Sequence, residues 1–355
     1  MKILYVKVLY LGEITEITGV FIEASWRHVD LSTLARRNTV PKLVFASSGS
    51  EVSEVEIPVG SRIELRYLGR RFCSRFVRGR YCLNPLTRVR TEALPWCDRC
   101  LSEIPSIKCV LGDPQCSEEE APKSRKCVNS GVFEERCRVP RYHYVLIYPV
   151  SPSSVYIKVG INRETTFPTR VLEQGAPIAV VYARTPNVWK GRVLELGSRE
   201  VLRKLEGRSI AEGIRIAHAS EVKKTLSVVS TSLKYLGLQT YSLDTFLLGT
   251  TEASNLLDKL VSVGRAVCKY LVEQFREFAL ENSLVLNLWS HVYLIDQSKL
   301  TSNFVAVDSV ERISSLEGEV VGWIGSVMLL RCRDALYLLN FHRFSGSLLR
   351  LRVTQ

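Results

Sequence analysis

The chain has 355 residues, 46% of them hydrophobic, and a net charge of +12, with an isoelectric point near 9.3. That length supplies two or three domains with real cores, and with no long low-complexity tract ordered structure is expected throughout. The longest apolar runs, such as Val320–Leu330, are too short to span a bilayer. The apolar start is interrupted by Lys7 and followed by acidic residues without a small-residue cleavage site, so a cytoplasmic protein is expected.

Residues 1–70 read as a β domain, a small sheet or barrel. Its strands are short, rich in β-branched and aromatic residues, and separated by Gly, Ser and Pro: Ile3–Leu11, Gly19–Trp26, Pro41–Ser48, Val52–Val59 and Ser61–Leu68. Residues 71–140 are crowded with cysteine and arginine. Strand character returns at Tyr142–Val150 and, after a Ser-Pro-Ser-Ser turn, at Val155–Ile161. A helix is expected after Pro168, a strand at Pro177–Ala183 and a helix over Asn187–Leu205. Apolar residues at three- and four-residue spacing predict a long helix over Ala253–Leu280, with Cys268 as a core thiol. Leu284–Ile295 and Val320–Arg352 read as strands, the latter ending in a basic cluster of Arg331, Arg333, Arg343, Arg350 and Arg352.

Eight of the ten cysteines fall in the second segment: Cys73, Cys82, Cys97, Cys100, Cys109, Cys116, Cys127 and Cys137. A segment so poor in large aliphatics needs a staple. Eight thiols suffice for two four-coordinate zinc sites or for four disulfides. Cys97-Asp98-Arg99-Cys100 has the spacing that brings two sulfurs to one tetrahedral ion. A reducing compartment favours metal, although the scarcity of Met fits a hot habitat, where intracellular disulfides also occur. Grouping by adjacency gives Cys73, Cys82, Cys97 and Cys100 as one structural zinc site and Cys109, Cys116, Cys127 and Cys137 as another.

The charge is concentrated. Between Arg62 and Arg90 stand nine arginines, no lysine and the single acid Glu64, interleaved with Tyr67, Phe72, Phe76 and Tyr81. Guanidinium groups pair phosphates bidentately and aromatic faces stack on unpaired bases. Nucleic acid is therefore the expected partner, met by Arg66, Arg70, Arg71, Arg75, Arg78, Arg80, Arg88 and Arg90, with Lys158 and Arg163 further on. No P-loop, dinucleotide-binding turn, nucleophile elbow or helix-turn-helix signature is present, which leaves a DNA-binding regulator as the weakest alternative.

Tyr144, Tyr156, Gly160, Arg170 and Glu195 lie on a strand–turn–strand–helix–strand–helix pattern that resembles the core of GIY-YIG nucleases. The resemblance implies one site made by Tyr144, Tyr156, Arg170 and a metal-binding Glu195, with Mg²⁺ assisting phosphodiester hydrolysis. The first strand reads Val145-Leu146-Ile147-Tyr148 in place of a literal Gly-Ile-Tyr. The structural alternative is an ion pair between Arg170 and Glu195.

A second resemblance covers more of the chain. Cys97–Cys100 with Cys109 and Cys116, Lys158–Ile161, Pro168–Arg170 leading to Glu173–Ala176, Ala183–Asn187, and the C-terminal Val321–Gly325 and Leu339–Phe341 resemble an uncharacterised prokaryotic family of cysteine-rich proteins, a domain of unknown function. It implies a zinc module beside a nuclease-like core.

The fold class expected is α+β and multidomain. A β domain (1–70) precedes a zinc-knuckle module (71–140), a small GIY-YIG-like α/β core (141–207) and a C-terminal α+β domain of a helix plus strands (208–355). The function expected is that of a zinc-containing RNA-binding factor. Its target would be the ribosome or another large structured RNA. It would act by occupying functional sites, through translation inhibition or ribosome hibernation and protection. The alternative is a metal-dependent GIY-YIG-like endonuclease acting on RNA or DNA.

Overall fold

The computed structural model describes residues 9–11, 14–26, 40–87, 95–102, 137–211, 213–219, 251–288, 294–295 and 303–354. They fall into two compact units, Met1–Ser102 with His291–Gln355, and Glu103–Ser290. The first unit begins with strands β1 (Leu9–Leu11), β2 (Ile14–Ser25), β3 (Lys42–Ala46), β4 (Val52–Glu56) and β5 (Arg62–Arg71). A small hairpin, β6 (Phe76–Val77) and β7 (Arg80–Tyr81), and the short helix α1 (Asp98–Ser102) follow.

The second unit holds β8 (Arg141–Ser151), β9 (Ser154–Arg163), α2 (Phe167–Gln174), β10 (Ile178–Thr185), α3 (Val188–Leu205), β11 (Ser209–Ala211), β12 (Ile214–Ala219), α4 (Thr251–Gln274) and β13 (Ala279–Asn287). The chain then returns to the first unit with β14 (Leu294–Ile295), β15 (Phe304–Val307), β16 (Leu316–Ile324), β17 (Val327–Cys332), β18 (Ala335–Asn340) and β19 (Ser347–Thr354).

The first unit is one mixed sheet in the order β15-β18-β17-β16-β5-β19-β2-β3-β4, with β1 added to β2 and β14 to β16. Alternation decides which face is which. On β5, Ile63 and Leu65 are buried while Arg62 and Arg66 are exposed; on β19, Leu349, Leu351 and Val353 are buried while Arg350 and Arg352 are exposed. The buried face packs aromatic rings edge to face, with Phe21 5.5 Å from Phe45 and 5.3 Å from Phe341. Trp323 satisfies its indole by donating from Nε1 to the Ile57 carbonyl at 3.0 Å.

The sequence reading kept residues 1–70 and 208–355 in separate domains. Instead β5 lies between β16 and β19, so the first and last strands of the chain share one sheet. Periodicity reports which face of a strand is buried but not which distant strand satisfies its backbone donors and acceptors, and that pairing decides the architecture.

The second unit is a sheet in the order β11-β12-β9-β8-β10-β13. β8 and β9 form a long antiparallel hairpin, β10 runs antiparallel to β8, and β12 runs parallel to β9. The described part is therefore mixed α/β, mostly sheet with few helices. Helix α2 has Pro168 in its first turn and closes on Gly175, whose φ of 70° is the left-handed conformation that ends helices. Helix α3 is capped by Asn187, whose side chain accepts from the Lys190 amide at 3.0 Å. At Gly264 on α4 a Cβ would meet Val180 Cγ2 at 2.7 Å and Ile147 Cδ1 at 2.8 Å, so glycine permits close packing of this helix on β8 and β10.

The expected helix over Ala253–Leu280 stops at Gln274; Arg276–Phe278 forms a 3₁₀ turn and β13 begins at Ala279. Phe275 and Phe278 fit a three-residue period as well as a helical one, so the apolar pattern runs past the end of the α-helix. Cys268 is a buried core thiol. Among the described residues no helix is long and apolar enough to cross a membrane.

Candidate metal centre and the charged cluster of the core

Four of the eight clustered cysteines come together. Cys73 follows β5, Cys82 follows β7, and Cys97 and Cys100 bracket the first turn of α1, where the Leu101 amide donates to the Cys97 carbonyl at 2.9 Å. Their four sulfurs all lie within 4.8 Å of one another, with Cys82 Sγ 3.8 Å from Cys97 Sγ. A tetrahedral zinc with Zn–S bonds of about 2.3 Å separates its sulfurs by about 3.8 Å. None of the four is in a disulfide. The donor set fits a closed, all-thiolate structural metal site, as zinc prefers, with no open position for catalysis.

The knuckle is held from several sides. The Cys73 amide donates to the Asn84 carbonyl at 2.9 Å, and the Leu83 amide to the Cys73 carbonyl at 3.0 Å. Asn84 Nδ2 stands 3.9 Å from Cys97 Sγ, as a donor to a thiolate would. Arg75 donates to the Cys100 carbonyl and lies over the Trp96 ring, 5.6 Å from its centroid. Burial pushes the Cys73 thiol up to about 11 and the Cys100 thiol higher still. Burial also opposes ionisation of Cys97, but hydrogen bonds from the Cys100 amide and neighbouring thiols outweigh it and bring Cys97 down to about 7. A metal arriving here must displace protons, so its binding releases them and steadies the fold.

Of the four cysteines expected to form a second group, only Cys137 is among the described residues. Cys109, Cys116 and Cys127 lie outside the described residues, and Cys137 is buried in the second unit. One four-thiol group is therefore placed among the described residues, and the two-ion expectation rests on residues outside them.

The arginine stretch divides by environment. Arg71 is buried, with Nε 2.9 Å from the Glu311 carboxylate. Arg66 lies 3.4 Å from Glu64 and stands opposite Arg350 across the β5–β19 ladder. Arg75 belongs to the metal knuckle. Arg70, Arg78 and Arg80 are exposed. The last two sit on the β6–β7 hairpin, whose Arg78–Gly79 turn has φ of 49° and 78° at its two central residues. Phe76 on the same hairpin is 59% exposed, its ring 5.0 Å from that of Tyr81. Arg88 and Arg90 lie outside the described residues.

In the second unit, the in-register pairs Tyr144–Gly160, Leu146–Lys158 and Tyr148–Tyr156 place these side chains on one face of β8 and β9. Helix α2 packs over that face: Phe167 lies 5.2 Å from the Tyr144 ring, Tyr148 donates to the Gln174 carbonyl at 2.9 Å, and Lys158 Nζ donates to Gln174 Oε1 at 2.5 Å. Burial lifts the Tyr144 phenol far above its ordinary value, with Arg170 opposing and Glu195 and Glu173 adding to it. Burial lowers Lys158 to about 8, helped by Arg170 and Arg199 and opposed by Glu195. Tyr144, Lys158, Arg170 and Glu195 thus share one electrostatic neighbourhood. Tyr156 is buried beside Tyr148, their rings 5.9 Å apart. Arg163 stands at the far end of β9, opposite Arg141.

The ion pairs are not the expected ones. Arg170 pairs with Glu173 at 2.8 Å, one turn along α2. Glu195 is buried and both its oxygens are engaged, Oε2 by Arg192 at 2.6 Å and Oε1 by Arg199. Sequence reasoning passed over Arg192 and Arg199, and took Glu173 and Gln174 as part of a resemblance without giving them partners. Their spacings of three and four from Arg170 and Glu195 were the readable signal, because helical neighbours at those offsets meet. Asn84 and Glu311 carried no such signal.

Residues 60–211 match the model of a family described as Protein of unknown function (DUF2797). The match spans the metal knuckle, the β8–β9 hairpin, α2 and α3, in agreement with the expected unknown-function resemblance over that stretch. The C-terminal residues that resemblance cited, Val321–Gly325 and Leu339–Phe341, fall outside it. No curated protein and no solved structure matches the chain.

Proposed function

We propose that the chain is an RNA-binding protein of the cytoplasm that acts by occupying its target, with zinc in the four-cysteine knuckle as a structural ion. The observation that carries this reading is the β6–β7 hairpin. It is rooted in Cys73 and Cys82 and displays the exposed ring of Phe76 beside exposed Arg78 and Arg80. No carboxylate pairs with either arginine among the described residues. Rings with cations beside them are the elements that bind unpaired bases and their phosphates. A large structured RNA such as that of the ribosome suits a surface of this kind, and inhibition of translation or protection of idle ribosomes would follow from occupancy.

The test is equilibrium binding of the zinc-loaded full chain to single-stranded RNA over a salt series. For single strands each phosphate contact contributes about 0.7 to the slope of log affinity against log salt, so Arg78→Ala with Arg80→Ala should flatten the slope by about 1.4. Phe76→Ala should cost about 1–3 kcal/mol, the worth of a stacked base. An unchanged slope with unchanged affinity sinks the hairpin as the contact. Sequencing RNA that copurifies with the native protein identifies the target.

The competing proposal is a Mg²⁺-dependent nuclease using Tyr144, Tyr156, Arg170 and Glu195. It draws support from the shared neighbourhood of Tyr144, Arg170 and Glu195. One observation weighs against it: both oxygens of Glu195, the residue that would hold the metal, are engaged by arginines. Metal-dependent cleavage that Glu195→Gln abolishes would reverse this ranking.

A further inference from the structure

The geometry points to a phosphate-binding site in the second unit, in which Lys158, Arg170 and Arg199 receive the phosphate group of a nucleotide or of a polynucleotide backbone. The site lies apart from the metal knuckle in the chain and does not depend on the hairpin reading. Its basis is an imbalance of charge. Four cations, Lys158, Arg170, Arg192 and Arg199, gather around two carboxylates, Glu173 and Glu195. Both carboxylates are already engaged by arginines of their own helices. Lys158 has no carboxylate partner among the described residues; its ammonium donates only to the neutral Gln174 Oε1 at 2.5 Å. A half-buried ammonium without a counter-ion carries a desolvation cost, and an anionic ligand is what would compensate it.

The chemistry favours phosphate over a carboxylate. The cluster carries an excess of two positive charges, and guanidinium forks suit the paired oxygens of a phosphate. The cations also reach solvent: Arg170, Arg192 and Arg199 side chains keep 37, 34 and 23% of their exposure. Burial that lowers Lys158 to about 8 accords with a cation lacking its partner. The sheet supplies the floor. Gly160, two residues along β9 on the same face, lets the Tyr144 ring lie flat against the strand, since a Cβ there would meet Tyr144 Cε2 at 2.2 Å.

The experiment is residue-resolved amine labelling of Lys158 in the zinc-loaded full chain, read by mass spectrometry. The competing probes are inorganic phosphate and a single-stranded oligoribonucleotide lacking terminal phosphates. We expect labelling to slow at least tenfold at saturation with one or both probes. Protection by inorganic phosphate assigns the site to a free or terminal phosphate group; protection by the oligonucleotide alone assigns it to a backbone phosphodiester. Where either probe binds, Lys158→Met should weaken that binding at least tenfold and Lys158→Arg should restore it, which separates charge from folding. Arg78→Ala with Arg80→Ala should leave Lys158 protection by inorganic phosphate unchanged, so failure of the hairpin reading and failure of this one are distinguishable. Labelling indifferent to both probes, or phosphate binding that Lys158→Met leaves intact, overturns the inference.

Discussion

Gly160→Ala is the sharpest probe of the second unit. Its added methyl would lie 2.2 Å from Tyr144 Cε2, 2.3 Å from Cζ and 2.7 Å from Oη. Carbon contacts settle at about 3.5–4.0 Å, so the ring must move by more than about 1 Å. It has little room to do so: Tyr144 is 3% exposed and Phe167 packs on it at 5.2 Å. Overpacking by one methyl costs about 1–3 kcal/mol, and this site belongs at the upper end. Tyr144→Ala alone opens a cavity and should cost about 3–5 kcal/mol, as large aromatic truncations do.

On the Tyr144→Ala background the methyl has space. Replacing a mid-strand glycine there should be neutral or stabilise by about 0.5–1 kcal/mol. The double variant should therefore be more stable than additivity predicts, by about 2–4 kcal/mol. Urea unfolding of the four chains, with hydrogen exchange of β8 and β9 amides as the local readout, measures it. Additive effects, or a Gly160→Ala variant as stable as the parent, would refute the packing argument.

Two further outcomes are expected. Cys97→Ser should abolish tight zinc binding and remove exchange protection from the β6–β7 hairpin while leaving the β8–β13 sheet protected; unaltered zinc content in that variant would dismiss the four-thiol site. His143 is fully buried, accepts or donates through Nε2 to Thr185 Oγ1 at 3.0 Å, and is lowered to about 3 by burial and by Arg141. With an unfolded value near 6.5, the unfolded chain binds the extra proton between those values, so stability falls as pH drops from about 6.5 toward 3. His143→Gln should remove that component from the acid limb of the stability curve, and identical acid limbs in both chains would exclude His143 as its source.

The legible parts of this protein were the local ones. Cys97-x-x-Cys100 announced a cluster of sulfurs able to hold an ion, and Cys73 and Cys82 joined it because a tight hairpin returns the chain within one short loop. Helices α2 and α3 carried readable start signals in Pro168 and Asn187. What the sequence concealed was pairing over distance. β5 looked like the close of an N-terminal barrel, yet its ladder partners begin at Leu316 and Ser347. An ion pair between Arg170 and Glu195 was a reasonable expectation for two helices over one sheet. The intrahelical partners Glu173, Arg192 and Arg199 won because they need no tertiary alignment to meet.

The same long-range pairing changes what the basic charge means. Nine arginines against one acid between Arg62 and Arg90 look like a continuous phosphate-binding tract. In the folded sheet an acid from another element reaches Arg71 of that tract, and others stand beside the arginines of β17 and β19. Glu16 lies 3.9 Å from Arg350, Glu319 2.7 Å from Arg331, and Glu311 2.9 Å from Arg71. Arg352 stands in register with Glu64 on one side and Glu16 on the other. Much of the β5–β19 face is thus charge-compensated, and exposed pairs of that kind contribute little beyond solubility. Among the described cations that no carboxylate pairs are Arg78 and Arg80 of the hairpin, which flank an exposed ring, and Lys158 in the second unit. An anionic ligand gains most where it replaces no existing partner, so affinity should track these few residues and not the net charge. That argument predicts that neutralising Arg66 and Arg350 together, two arginines directly opposed across β5 and β19, leaves RNA affinity nearly unchanged. The Arg78 and Arg80 pair should lower it, although the two double variants alter net charge equally. Equal losses in a direct titration at one salt concentration would show that the protein binds through its overall field and not through these sites.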